Sequence, residues 1–191
     1  MSYSALTQSS RLMTHNSKLM TMTIKNVEIK ARCSDPEQIR TILENKGADF
    51  KGIDHQIDTY FKIDEGRLKL REGTIENNLI YYRRPDTASP KQSDVHLVPM
   101  DQPEKMKALL TAALNVKVVV DKKREIYYID NVKFHIDEVK TIGNFVEIEA
   151  IDEDGSINEA KLHEQCEYYM QLFKIKEENL VAESYSDLVI E

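Results

Sequence analysis

Charged residues alternate with apolar residues along several short segments of the chain, in types that commonly bind metal ions and phosphates. Near the start lies Asn26-Val27-Glu28-Ile29-Lys30, and far downstream lies Phe145-Val146-Glu147-Ile148-Glu149. Between them runs Arg67-Leu68-Lys69-Leu70-Arg71. A period of two places the charges of a strand on one face of its sheet. The signs are also sorted, because acids mark the outer segments and cations fill the middle one.

The carboxylates of this pattern predict a site for a hard divalent cation. Glu28, Asp137, Glu147 and Glu149 are oxygen donors of the kind that Mg²⁺ or Mn²⁺ prefers. Zinc is the competing interpretation, with His135 beside these acids, but the other histidines are scattered and give no ligand spacing. We therefore expect Mg²⁺ or Mn²⁺, and we expect His135 to orient other groups by hydrogen bonding.

The cations predict a neighbouring site for phosphate oxygens, which arginine binds as a planar fork and lysine as a point charge. Lys122 and Arg124 share one face of a further segment, as Lys69 and Arg71 do. Arg84 is expected to point to the same side, with Arg83 as the substitute if a bulge forms before Pro85. A solvated polar face is the alternative for any single strand. The sorting by sign across several strands favours a ligand site instead.

The elements that must position these residues are mostly strands joined by hairpins. The pattern predicts strands over about 24–32, 49–63, 67–72, 79–84, 91–98, 116–129, 132–139 and 145–151. Helices are predicted over the segment after Asp35, over 103–114 and over 157–174. The strands and helices do not alternate, so the fold class is α+β with an antiparallel sheet. Eight strands can close into a barrel, with the charged face inward and the helices packed by their apolar stripes outside.

Composition limits the classes of partner. Acidic residues number 33 and basic residues 26, and the net charge of -7 argues against nucleic-acid or membrane-surface binding. Two isolated cysteines, Cys33 and Cys166, form no disulfide framework, which predicts a cytoplasmic protein. Residues 1–23 are polar and lack acids, and we interpret them as a disordered leader that precedes a single domain over 24–191.

Taken in order, these segments resemble the CYTH superfamily of triphosphate tunnel metalloenzymes. The first segment is similar to the family's E-x-E-x-K signature, and its N-x-E-x-K form resembles the class IV adenylate cyclase-like branch. The resemblance covers about residues 24–190 and continues through the following segments: Asp58-Thr59-Tyr60-Phe61, Arg67 to Glu72, Tyr82 to Pro85, Lys122 to Glu125, His135 to Val139, Gly143 to Glu149 and Ser184-Tyr185.

The resemblance implies an eight-stranded antiparallel tunnel that binds a triphosphate through basic residues and divalent cations. It implies that the metal is held by Glu28, Asp137, Glu147 and Glu149. It implies that phosphates are held by Lys30, Lys69, Arg71, Arg84, Lys122 and Arg124. It places catalysis on Glu28, Lys30, Arg71 and Asp137. Asn26 departs from the family pattern, because it stands where the family has its first glutamate and brings no charge.

Three functions follow from the resemblance and stay open at the level of sequence. A class IV adenylate cyclase would convert ATP to cyclic AMP and pyrophosphate. A triphosphatase would hydrolyse tripolyphosphate, thiamine triphosphate or a nucleoside triphosphate. The loss of a carboxylate at Asn26 leaves room for a module that binds polyphosphate or nucleotide without turnover. Likeness to class IV cyclases also suggests a homodimer.

Overall fold

The computed structural model describes residues 23–83, 87 and 89–190. Its strands are β1 Thr23–Arg32, β2 Asp49–Phe61, β3 Arg67–Gly73, β4 Asn78–Arg83, β5 Lys91–Pro99, β6 Val116–Ile129, β7 Val132–Val139 and β8 Gly143–Asp152. Its α-helices are α1 Pro36–Asn45, α2 Pro103–Leu114, α3 Glu159–Leu172 and α4 Tyr185–Leu188. The predicted leader, residues 1–23, falls outside the described residues except for Thr23, with which β1 begins.

The eight strands form a closed barrel in the order β1-β5-β4-β3-β2-β6-β7-β8. Closure comes from β1, which pairs antiparallel with β5 on one side and with β8 on the other. The remaining neighbours in the order are also antiparallel. The predicted fold class, an eight-stranded antiparallel barrel with helices outside, is confirmed. The barrel matters for function because it gives every strand one face toward a shared interior.

The larger of two hydrophobic clusters among the described residues lies outside the barrel wall, under α1 and α3, and a smaller one gathers around Tyr60, Phe145 and Tyr185. Val27 and Ile148 point outward from β1 and β8 and pack in one buried cluster with Leu43 of α1 and with Leu162 and Cys166 of α3. The apolar residues of the alternating pattern are therefore the covered ones. Their charged neighbours along each strand must face the interior, because successive side chains of a strand point to opposite faces.

Local sequence signals explain where α1 begins. The carboxylate of Asp35 accepts a hydrogen bond from the backbone N–H of Gln38 at 3.0 Å, which satisfies a donor left free at the helix start. Pro36 then occupies the first turn, where a missing N–H costs nothing. Asn158 caps α3 in the same way, through a hydrogen bond from Lys161 N.

The predicted outer packing of helices is confirmed, but α2 covers the barrel less completely than α1 and α3 do. α2 has the predicted bounds, yet none of its residues is buried, and Leu109 is 61% exposed. Met106, Leu110 and Leu114 are half-buried, and α2 lies against β2 and β3. In the part of the chain that the structure describes, no helix is long and apolar enough to cross a membrane.

Candidate active site

The interior of the barrel is a tunnel in which carboxylates collect along β1 and β8. The strand register sets Glu28 beside Glu149, and Lys30 beside Glu147. On the other side of β8, His135 of β7 is the register partner of Glu147. All five side chains line the same cavity. Barrel closure thus joins residues about 120 positions apart in the chain into one cluster.

His135, Glu147 and Glu149 form a group that suits a divalent cation. Each offers one ligand atom, and these atoms lie within 4.8 Å of one another. His135 Nδ1 is 3.2 Å from Glu147 Oε2 and 3.5 Å from Glu149 Oε1. The two carboxylates are donors that Mg²⁺ or Mn²⁺ prefers, and the imidazole nitrogen is a donor that suits transition metals. Glu28 borders this group through its register partner, Glu149.

The protonation states favour this donor set. Burial, together with the charge of Arg124, lowers the pKa of His135, so the imidazole is neutral at pH 7. Burial raises the pKa of Glu147, but Arg124 and Lys30 lower it by more, and the result lies well below the usual value. A neutral imidazole and an ionised carboxylate are the forms that bind metals. Moreover, His135 Nε2 is buried without a hydrogen-bond partner.

Asp137 lies next to this cluster but has its oxygens occupied by other side chains. It is fully buried, and it accepts hydrogen bonds from Arg124 Nε at 2.7 Å and from Tyr185 Oη at 2.8 Å. Arg124 Nη2 also donates to Glu147 at 2.7 Å. The structure therefore places Asp137 where it holds Arg124 against the carboxylate cluster. Its predicted roles in metal binding and catalysis stay predictions.

Asp58 is the shared counter-ion of the cations that the sequence predicted for phosphate binding. It is completely buried and accepts from Lys122 Nζ at 2.7 Å and from Lys69 Nζ at 2.9 Å. It also accepts from Arg71 Nε at 2.9 Å and from Arg71 Nη2 at 3.1 Å. Arg71 also pairs with Glu76, which is shared with Lys133, so four cations face two carboxylates and this side of the tunnel carries excess positive charge. An anionic ligand would supply the missing negative charge.

The two lysines of this cluster titrate far from their usual range. Burial lowers the pKa of Lys122 to about 7 and that of Lys69 to about 8, although the charge of Asp58 opposes both shifts. For Asp58, burial raises the pKa, but Arg71, Lys122 and Lys69 outweigh it and hold the pKa well below the usual value. A bound phosphate would favour the charged form of both lysines.

Lys30 connects the cations with the carboxylates. Its Nζ lies 3.4 Å from Glu147 Oε1 and 4.1 Å from the centre of the Tyr185 ring, and it donates to the carbonyl oxygen of Glu183 at 3.3 Å. Glu183 and Tyr185 belong to the C-terminal segment, which therefore completes this part of the tunnel. The predicted tail with Ser184-Tyr185 is in fact an ordered wall that ends in α4.

The cavity brings together most of the predicted site residues. It is lined by Glu28, Lys30, Lys69, Arg71, Lys122, Arg124, Glu147 and Glu149. Arg84 lies outside the described residues. Its substitute, Arg83, points outward and pairs with Glu65 at 2.7 Å on the surface. Tyr82 takes the inward position of β4, and strand alternation therefore turns Arg83 outward. The prediction that Arg83 could take the inward role of Arg84 is wrong.

Glu76 and Lys133 line the same cavity and were missed by reasoning from the sequence. Glu76 accepts from Arg71 Nη1 at 2.9 Å and from Lys133 Nζ at 2.7 Å. Lys133 shares a face with His135, so the period of two along β7 could have found it. Glu76 sits in the turn between β3 and β4, where no periodicity marks a direction.

Asp54 explains how that turn is held. Its carboxylate accepts hydrogen bonds from Thr74 Oγ1 at 2.9 Å, from Ile75 N at 2.8 Å and from Glu76 N at 3.1 Å. A buried carboxylate that accepts several donors orders a loop strongly. Asp54 thereby fixes the position from which Glu76 reaches Arg71.

The arrangement as a whole suits a polyanion with a bound divalent cation. Carboxylates and an imidazole on β1, β7 and β8 can hold the metal, and buried cations on β3 and β6 can hold phosphate oxygens. Both groups face one cavity inside a rigid barrel. Such preorganised charge is what phosphoryl and nucleotidyl transfer require.

Comparison with known proteins agrees with this arrangement. The CYTH domain model matches residues 25–185. A Methanocaldococcus jannaschii protein named "putative adenylate cyclase" is 28% identical over 175 residues, which is 85% of this chain and 97% of that protein. The solved structure of the PH1012 protein from Pyrococcus horikoshii superposes with a TM-score of 0.75 at 27% identity, covering 85% of this chain and 98% of that one.

A more distant plant structure shares the fold alone. It is a Hippeastrum protein described as a "putative adenylyl cyclase" with a dominant triphosphatase activity. The identity is 13% and the TM-score 0.56, with 86% of this chain and 94% of that chain covered.

Proposed function

The chain belongs to the CYTH domain family, and from this premise we propose that it is a divalent-metal-dependent enzyme that acts on a triphosphate inside the barrel. The specific reaction we propose is that of a class IV adenylate cyclase, which converts ATP to cyclic AMP and pyrophosphate. The name of the Methanocaldococcus jannaschii relative supports this choice of reaction.

One observation carries the proposal. Three cations, Lys69, Arg71 and Lys122, surround the completely buried carboxylate of Asp58 and line the same cavity as the carboxylate cluster around Glu149. Buried charges are costly unless they are paired. A triphosphate with its metal ion carries the charges that would complete both groups.

In the proposed reaction, the 3′-hydroxyl oxygen of ATP forms a bond to the α-phosphorus. The bond from that phosphorus to the oxygen bridging to the β-phosphate breaks, and the hydroxyl proton passes to solvent water. A divalent metal bound by Glu147, Glu149 and His135 would neutralise phosphate charge. Arg71, Lys69 and Lys122 would hold the leaving pyrophosphate. Arg124, held by its hydrogen bonds to Asp137 and Glu147, would face the negative charge that develops on the phosphate oxygens near the carboxylate cluster.

Hydrolysis of the terminal phosphate is the second candidate. It uses the same cations and carboxylates, with water as the nucleophile at the last phosphorus. The observation that favours it is the Hippeastrum protein, which has the same fold and is described with a dominant triphosphatase activity. The two reactions differ in the phosphorus that meets the nucleophile.

The test is to incubate the purified full chain with Mg²⁺ or Mn²⁺ and either ATP, tripolyphosphate or thiamine triphosphate. Cyclic AMP with pyrophosphate supports the cyclase, and orthophosphate supports the triphosphatase. Tight binding without any product would overturn both and leave a binding module.

Two variants connect the activity to the tunnel. We expect Glu149→Gln and Arg71→Ala each to lower turnover at least tenfold, a loss of about 1.4 kcal/mol of transition-state stabilisation. Matched controls are Glu138→Gln on the outer face of β7 and Arg83→Ala on the outer face of β4, and both should retain activity. Near-native turnover in both tunnel variants would refute the assignment of the site.

A further inference from the structure

The described residues on one side of the tunnel are uncharged, in contrast to the walls already described. The inward-facing residues that the structure describes on β4 and β5 are polar or apolar but neutral. They are Asn78, Ile80, Tyr82, Ser93, Val95 and Leu97. We call this set the neutral wall. It lines the same cavity as the cations and the carboxylates, so a ligand bound there would touch all three.

The register places the neutral wall between the two charged groups. On one side, Lys69 of β3 is the partner of Ile80, and Ile80 is the partner of Leu97. On the other side, Ser93 of β5 is the partner of Asn26 of β1. In the order of the barrel, β4 and β5 lie across the interior from β7 and β6. A phosphate chain held by the cations would therefore have an apolar surface beside it.

An inorganic polyphosphate gains nothing from such a surface. Its oxygens are charged along the whole chain, and covering them with Ile80, Val95 or Leu97 would remove hydration without replacing it. An organic group gains from the same contact, because apolar area is removed from water on both sides. The neutral wall is therefore suited to the organic part of a substrate.

Two unsatisfied polar atoms mark where that organic part would be held. Asn26 Oδ1 and Ser93 Oγ are buried and have no hydrogen-bond partner. Asn26 is 6% exposed and Ser93 1%, both side chains line the cavity, and the two residues are register partners. Buried polar groups are normally paired, and a missing partner needs an explanation. A hydroxyl or amino group of the ligand would satisfy both atoms.

We propose that the substrate is a nucleoside triphosphate whose uncharged base or sugar lies against the neutral wall and hydrogen-bonds to Asn26 and Ser93. This inference rests on the proposed function, since the cations must hold the triphosphate for its organic part to reach β4 and β5. An uncharged nucleoside suits this lining better than the cationic thiazolium of thiamine, because the described residues of the wall offer no counter-ion. Asn26, the residue that departs from the family signature, thereby acquires a role in specificity.

The experiment measures binding rather than turnover, so it can be read separately from the reaction. The full chain is titrated by calorimetry with ATP, thiamine triphosphate and tripolyphosphate in EDTA, where metal-dependent turnover does not interfere. The variants are Ser93→Ala and Leu97→Ser. Val98→Ser is the matched control, because Val98 is the next residue of β5 and points outward.

We expect both variants to weaken ATP binding about fivefold, the loss of roughly one neutral hydrogen bond or one partly buried apolar contact. In both variants the affinity for tripolyphosphate should stay within about twofold of the wild-type value. Val98→Ser should change the affinity for neither ATP nor tripolyphosphate. ATP should bind more tightly than thiamine triphosphate. The inference is overturned if the two variants affect ATP and tripolyphosphate equally, if neither affects ATP, or if thiamine triphosphate binds more tightly.

The two proposals fail in different ways. If no triphosphate gives a product but Ser93→Ala still weakens ATP binding, the proposed reaction is rejected and the role of the neutral wall is supported. Turnover with unchanged ATP binding in both variants would support the reaction and reject the neutral wall.

Discussion

Replacing Asp58 by asparagine tests whether the tunnel is organised around one buried carboxylate. The substitution keeps the shape of the side chain and removes its charge. Asp58 is completely buried and receives hydrogen bonds from Lys69, Arg71 and Lys122 at 2.7 to 3.1 Å. In the variant, these cations face an amide whose NH₂ group is itself a donor.

The cost follows from the contacts that are lost. Asp58 accepts hydrogen bonds from four donor atoms, and an amide oxygen can accept about two of them. Each hydrogen bond to a charged group contributes about 1.5–3 kcal/mol, so two lost contacts cost about 3–6 kcal/mol. Part of this is recovered, because Lys122, with a pKa of about 7, can release its proton. We therefore expect the free energy of unfolding at pH 7 to fall by about 3–5 kcal/mol, the range for an uncompensated buried charge.

The assay is urea unfolding followed by circular dichroism, at pH 6, 7 and 9. The loss should be smaller at pH 9, where both lysines are largely neutral in the folded protein. Tripolyphosphate should restore part of the stability of the variant by supplying negative charge. Asp121→Asn is the matched control. Asp121 lies on the outer face of β6 with 34% of its side chain exposed, and its loss should cost under about 1 kcal/mol.

The reasoning would be refuted by a loss under about 1 kcal/mol for Asp58→Asn, which is the range of an exposed ion pair. A loss that does not change between pH 6 and pH 9 would also contradict it. In that case the cations would not depend on Asp58, and the excess positive charge attributed to this side of the tunnel would be balanced elsewhere.

Three further predictions concern ligand binding. Because burial lowers the pKa of Lys122 to about 7 and of Lys69 to about 8, the free protein loses these charges as pH rises. Affinity for tripolyphosphate should therefore fall from pH 6.5 to pH 9, and binding should be accompanied by proton uptake. Calorimetry in several buffers measures both. Lys122→Arg should flatten the dependence of affinity on pH, and a flat dependence in the wild-type protein would contradict this prediction. Glu76→Gln should tighten tripolyphosphate binding about fivefold, since the carboxylate that competes for Arg71 is lost. Glu72→Gln on the same hairpin is the control. Weaker binding by Glu76→Gln would show instead that Glu76 assists binding of the ligand. Asn26→Glu should raise Mn²⁺ affinity about tenfold by adding a carboxylate beside the cluster. The dependence of activity on Mn²⁺ concentration measures this affinity. An unchanged dependence would show that a side chain at position 26 does not reach the metal.

Several parts of the fold could be predicted because they depend on local pattern. α2, β6 and β7 begin and end where the sequence predicted, at 103–114, 116–129 and 132–139. Strand alternation also predicted that Lys122 and Arg124 share a face. It did not predict how deeply α2 is buried, because a helical period indicates an apolar stripe but not how much of that stripe its neighbours cover.

The candidate site was predictable in its residue types and less so in its pairings. Asp137 was predicted to bind metal because it is a carboxylate on the correct face, yet the structure surrounds it with Arg124 and Tyr185. Tyr185 comes from the C-terminal segment, and its approach to β7 depends on how the chain crosses the barrel. Glu76 reaches the tunnel from a turn whose direction is set by Asp54, through a contact across 22 residues.

The sequence by itself determined which residues of a regular strand share a face, because the side-chain period of a strand is a local property of the backbone. It therefore predicted a charged interior with carboxylates and cations separated along the chain. Only the tertiary structure decided which of them meet. Closure of β1 between β5 and β8 brings Glu28 to Glu149 and Asn26 to Ser93, and it leaves a neutral wall between charged ones. These neighbours depend on the strand order and register of the whole barrel, which no single segment encodes.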